Sequence, residues 1–463
     1  MSRTMLSGAR VITMASGRPD AERADILIDG DRILAVGEGL DDIDADVVDF
    51  ADRIIVPGFV NAHIHTWQTG LRGVAADWSL LEYLTRAHGD FARHYSPADI
   101  HIGTLAGALN QIGSGVTTVG DWCHNCRTPE HADAAIEALL QAGIRAVFLH
   151  GTSHGGAGKP HNVGEVDRLL DGPSASSSLL TVGMAIKGPQ LSPPEVALSD
   201  LRAGAERGVL VSMHQSAGRP GPGWRLASAA GLWGPRINVV HGTGITGDLL
   251  KTLVDAGVSF TSTPENELAQ GHCTTIIEEL RALDCATSLG TDTEAAVAGD
   301  ILTSARIALA RQRALAHDDA HRGTGLGTPD IHVTSKHALE WITTEGARAL
   351  GLDDQIGRIQ PGMQADLVVV DARALNLRPA HNPIAAVLQA NTANIEAVMV
   401  AGQWRKRDHA LTDPSIPAIA SQLEQSGERL VRAAQSSGVL AQTRRHIVRR
   451  VVHRALREQT RHN

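Results

Sequence analysis

The alternation of apolar and polar positions changes character twice along the chain. Residues 1 to about 55 read as short β segments broken by turns, at 9–14, 25–30 and 32–37, with Asp29-Gly30-Asp31 as a hairpin-type turn. The same texture returns at 362–371 and 395–402. Neither end holds enough strands for a stable sheet. The two ends are therefore expected to meet in one small β-sandwich, formed by 1–55 and 355–411.

Between them, short runs rich in Val, Ile and Thr alternate with longer Ala/Leu segments of helical period. That alternation predicts βα units and a parallel sheet. Strands are expected at 55–62, 115–121, 145–150, 181–187, 209–214, 237–241, 258–263 and 286–291. Eight units predict an α/β fold, a (β/α)8 barrel over 56–354, whose chemistry belongs at the C-terminal strand ends. Polar residues fall there: His63 and His65, Asp121, His150, Lys187 and Gln190, His214, His241, Glu265 and Asn266, and Asp292. The tail from 412 to 463 is helical in composition. Its basic amphipathic stretch 444–454 could meet a membrane or a partner. The plainer expectation is a helix docked through Ile447, Val448, Val451 and Val452.

Composition narrows the function. A formal net charge of -9 argues against a nucleic-acid partner. Four cysteines suit a reducing cytoplasm. No signal-type start and no membrane-length apolar run are seen, so a cytoplasmic protein is expected. Cys123-His124-Asn125-Cys126 lacks the second pair of a structural zinc site and reads as a loop lining the pocket. The glycine-rich stretch 155–159 lacks phosphate-loop spacing.

In an extended strand His63 and His65 project to one face, as two ligands of one cation must. Imidazole and carboxylate together suit zinc or iron(II). The expected ligands are His63, His65, His214 and Asp292, with His241 beside them. Such a metal brings the pKa of its water towards neutrality, and Asp292 can take the proton released.

Several stretches then carry a resemblance: 57–65 with Gly70-Leu71-Arg72-Gly73, 115–121, 211–214, 239–242, Thr263-Pro264-Glu265-Asn266, 289–292 and 357–369. In order and content the chain resembles the amidohydrolase superfamily, in particular its cytosine deaminase and triazine hydrolase branch. The resemblance implies one divalent metal, Zn2+ or Fe2+, and His241 and Asp292 as catalytic residues. It also implies attack of hydroxide on a ring carbon of a small nitrogen heterocycle, and a homodimer or higher oligomer. One departure stands out. The branch's His-x-x-Glu reads His214-Gln215-Ser216-Ala217, and alanine carries no proton. Glu265, Glu294 or Gln215 could replace the glutamate. Cyclic amide hydrolysis, a lyase or isomerase reaction, or a non-catalytic binding descendant are the alternatives. Lys187 raises the question of a second metal. Substrate contacts are expected from Trp67, Gln68, Arg72, Gln190, Glu265 and Asn266, with Trp78, Trp122 and His154 as further loop candidates.

Overall fold

The computed structural model describes residues 3–42, 44–152 and 158–436. His154, the start of the glycine-rich stretch and the basic segment 444–454 lie outside the described residues.

The centre is an eight-stranded parallel sheet in chain order. Its strands are β1 (Phe59–Ile64), β2 (Val116–Cys123), β3 (Arg145–Gly151), β4 (Leu180–Ile186), β5 (Val211–His214), β6 (Ile237–Val240), β7 (Ser259–Ser262) and β8 (Ser288–Leu289). Every residue of β1 and β2 is buried, as expected for strands covered on both faces. The barrel closes at the mouth. The His63 carbonyl accepts Thr291 N–H at 3.1 Å and Asp292 N–H at 3.0 Å, while His65 N–H donates to the Asp292 carbonyl at 2.7 Å. A Cβ at residue 290 would lie 2.5 Å from the His63 oxygen, so Gly290 is what lets β8 approach β1.

The strand expected at 55–62 is two strands. Ile54–Pro57 pairs antiparallel with Leu367–Val370 in a seven-stranded sheet of the sandwich. β1 starts only after Gly58, where a Cβ would sit 2.0 Å from the Thr117 hydroxyl. A second, four-stranded sheet of N-terminal strands faces this one. The core between them gathers Leu6, Ile26, Phe50 and Ile55 with Leu367, Val369 and Met399, so both chain ends supply it.

Arg145 ties the bottom of the barrel to this sandwich. Its guanidinium donates to both Asp366 oxygens, at 2.8 and 3.2 Å, and to Gln364 Oε1 at 3.0 Å, with both ionic partners buried. Arg145→Ala would leave the Asp366 carboxylate buried without its counter-charge. We expect a loss of about 3–5 kcal/mol in urea unfolding, against under about 1 kcal/mol for the exposed pair partner Lys251→Ala.

The helix Pro97–Gly113 starts with a capping box between Ser96 and Asp99 and packs on β2. The helix Ile416–Ser436, the first part of the expected tail, lies across it. Ser426 donates to Asp99 at 2.6 Å, Arg429 pairs with Asp99, and Gly427 packs against the Gly70 carbonyl. Among the described residues no helix is long and apolar enough to cross a membrane.

Candidate metal centre and active site

Barrel closure brings together residues that are 229 positions apart at most. His65 Nε2 lies 3.2 Å and His63 Nε2 3.6 Å from Asp292 Oδ1, and His214 Nε2 is 3.3 Å from His63 Nε2. Each of these histidines offers a nitrogen within 4.8 Å of the others. Burial pushes His63 down to about 3 and His214 well below the usual imidazole range. Both are therefore neutral lone-pair donors. Against its own burial penalty, the Asp292 carboxyl is held well below the usual carboxylate range by His63 and His65. Three imidazoles and one carboxylate suit zinc or iron(II), so the residues fit a divalent cation.

Neighbouring groups fix the orientation of these ligands. His65 Nδ1 donates to the Trp122 carbonyl at 2.8 Å, which directs Nε2 inward. The Trp122 indole stacks on the His214 imidazole, centroids 3.4 Å apart. Asn266 donates to Asp292 Oδ2 at 2.5 Å. Asp121, pushed up to about 6 by burial, accepts the Thr66 hydroxyl at 2.7 Å and braces the turn after His65. His241 stands with its Nε2 3.9 Å from Asp292 Oδ2 and its Nδ1 3.1 Å from Glu267 Oε1. Glu267 also accepts Ser262 Oγ at 2.6 Å and Thr263 N–H at 2.8 Å, so it is a fixed acceptor for Nδ1–H. His241 and Asp292 have φ of 64° and 65°, and Ala217 of 46°. Non-glycine residues rarely hold such values, and three around one cavity mark a site where placement outweighs backbone strain.

The cavity above has a volume of about 1870 Å³, and His65, His214, His241, Asp292, Ala217 and Gln190 help to line it. Other expected contacts do not. Trp67 is fully buried, edge-on to Tyr95 at 5.0 Å. Gln68 Oε1 accepts Tyr83 O–H at 2.9 Å and Thr293 O–H at 2.5 Å behind the wall. Arg72 is spent on Glu294, which also accepts Asn110 at 2.7 Å. Glu265 is half-buried with Asp300 and Arg306 as its charged neighbours. Gln190 faces the cavity, but its amide is tied to Ser216 N–H and C=O. Trp78 sits under Arg86, 3.8 Å from its guanidinium carbon. Of the groups weighed as replacing the missing glutamate, none lines the cavity. Gln215 is held by Trp224 at 2.9 Å, Glu294 by Arg72, and Glu265 points elsewhere.

His150 turns to His161, 3.1 Å away. Lys187 lies 3.5 Å from the Lys159 carbonyl and is not among the cavity-lining residues. A second grouping, Asp371, Glu396 and His409, belongs to the sandwich and is engaged by Arg53 and Arg373. Sequence reasoning missed Glu267, Gln270, His272 and Tyr83. Only Glu267 left a signal, as an acid in the first turn of a helix beginning with Pro264.

Fold and site together define a metal-dependent barrel hydrolase. A profile of the amidohydrolase family matches residues 54–405, and the chain belongs to that family. It is a hydrolase acting on carbon–nitrogen bonds other than peptide bonds. The 5-methylthioadenosine/S-adenosylhomocysteine deaminase of Pelotomaculum thermopropionicum is 28% identical over 87% of this chain and 93% of that protein. The 8-oxoguanine deaminase of Pseudomonas aeruginosa is 26% identical over 93% and 100%. A zinc-bound adenosine deaminase from Xanthomonas campestris shares the fold, with a TM-score of 0.78 at 22% identity over 93% and 98%. The zinc complex of atrazine chlorohydrolase from Arthrobacter aurescens gives 0.78 at 22% over 92% and 100%.

Proposed function

We propose that the protein is a hydrolytic deaminase of amino-substituted nitrogen heterocycles, working with one zinc ion held by His63, His65, His214 and Asp292. The observation that carries this is the convergence of three imidazoles with Asp292 and His241 at the floor of one cavity. When bound, such a cation supplies a water acidic enough to ionise near neutral pH. Asp292 takes the proton given up on attack at the ring carbon and passes it towards the departing amino group. His241, its Nδ1–H held by Glu267, presents an Nε2 lone pair that takes the proton lost as the water ionises, and as Nε2–H it then donates to the oxygen that gains charge. His63, His65, His241 and Asp292 are all buried, so these hydrogen bonds act at low local dielectric.

Ala217 favours one second reading: displacement of a leaving group that departs as an anion and needs no proton delivered from that position. The test is metal analysis of the purified protein with an ammonia-release screen over aminopyrimidines, aminopurines and aminotriazines. The expected result is one zinc per chain, and ammonia from at least one compound, with the product carrying oxygen in place of nitrogen. Release of chloride without ammonia, from chloro-substituted triazines added to the screen, would select the second reading. Product of unchanged mass, or a folded protein that takes up no transition metal, would end both.

A further inference from the structure

The helix Pro264–Gln270 after β7 carries more than the residues used so far. Its Asn266 and Glu267 hold Asp292 and His241. Three positions on from Glu267, on the same face, Gln270 reaches the cavity wall. The helix ends at Gly271, whose φ of 86° reverses the chain. His272 N–H then donates back to the Glu267 carbonyl at 3.1 Å, and the His272 ring stands 4.5 Å from that of His241. Gln270 is 5% exposed and His272 1%, and both line the cavity. Among the described residues, neither amide atom of Gln270 and neither ring nitrogen of His272 has a hydrogen-bond partner. Buried polar atoms are as a rule paired. Four without protein partners, just beneath one wall of a cavity, are left for a ligand that draws the two side chains into it.

We propose that Gln270 and His272 are specificity-determining residues that select an amino heterocycle bearing a lactam, an N–H beside a C=O. This rests on the deaminase reading. A carboxamide sets one donor beside one acceptor, the complement of –NH–CO–. Once its reacting amino group is set aside, an adenosine ring presents acceptors only and leaves half of the Gln270 amide unmatched. His272, beside His241, meets the ring next to the reacting carbon with one ring nitrogen, a donor or an acceptor according to its tautomer. The cavity of about 1870 Å³ leaves room for a bicyclic base and a substituent.

The test uses zinc-loaded protein and two non-consumable probes, xanthine, which carries lactams, and 9-methylpurine, which carries acceptors only. Calorimetry should show xanthine bound about 100-fold more tightly. Gln270→Leu and His272→Phe should each shrink that preference by about 10-fold or more, with zinc content unchanged. Gln270→Leu should also melt no lower than the parent, because it removes two unpaired buried atoms at similar volume. In turnover, guanine and 8-oxoguanine should exceed adenosine in kcat/KM, with the variants' losses mainly in KM. Equal binding of the two probes, a preference that survives both substitutions, or a lower melting temperature for Gln270→Leu would overturn the proposal. If xanthine binds with the stated preference but no heterocycle releases ammonia, the specificity assignment stands and the deaminase reading falls.

Discussion

Replacing His214 with alanine is expected to remove both metal and turnover. The ring supplies one of three imidazole nitrogens and stands 3.3 Å from His63 Nε2. Without it two histidines and Asp292 remain, one ligand short of the set, so zinc should be held more weakly and drawn off by dialysis against a chelator. Loss of the metal's contribution, several kcal/mol of transition-state stabilisation, corresponds to at least about 10³ in kcat/KM. Elemental analysis after dialysis reads the metal, and a steady-state assay reads the rate. Asp292→Ala should do the same, with a greater penalty, because that carboxylate also takes the proton. A His214→Ala protein with full zinc and an unchanged rate would break the assignment. The Trp122 indole loses its stacking partner in that variant, so a circular dichroism spectrum like the parent's is the needed control.

His241→Ala should behave differently. His241 is close to Asp292, 3.9 Å from Nε2 to Oδ2, but its other nitrogen is committed to Glu267. We expect the zinc content to be kept and kcat to fall by about 10²–10⁴, the range for a positioned acid–base or oxyanion-stabilising group. Glu267→Gln is the companion variant. It preserves shape but weakens the acceptor for Nδ1–H, so kcat should drop by about 10–100-fold with KM little changed. If His241→Ala lost zinc to the same degree as His214→Ala, His241 would be a ligand rather than a partner of the substrate. If Glu267→Gln left kcat untouched, the orienting role given to that carboxylate would be wrong.

These two expectations differ in how visible their residues were in the chain. His63 and His65 lie two apart at a strand end, and a period of two sends them to one face whatever surrounds them. His214, His241 and Asp292 likewise each close an apolar run, so the βα rhythm alone put them at one end of a barrel. Glu267 had no such mark. It matters because a short helix after β7 tips its first turn towards His241, and that tilt comes from packing. The same packing withdrew Trp67, Arg72 and Glu265 from the cavity. Trp67 was buried edge-on against Tyr95, Arg72 met the buried Glu294, and Glu265 is not among the cavity-lining residues although Gln270 of the same helix is.

By itself the sequence determined the architecture and the strand-end positions. Those follow from short-range periodicities of apolar residues, which any folded state of this chain must bury. Only the tertiary structure decided which polar groups face the cavity and which are consumed by one another. The loops carrying them have no period to read. Their direction is set by barrel closure at His63, Gly290 and Asp292, and by whichever partner each buried charge could find.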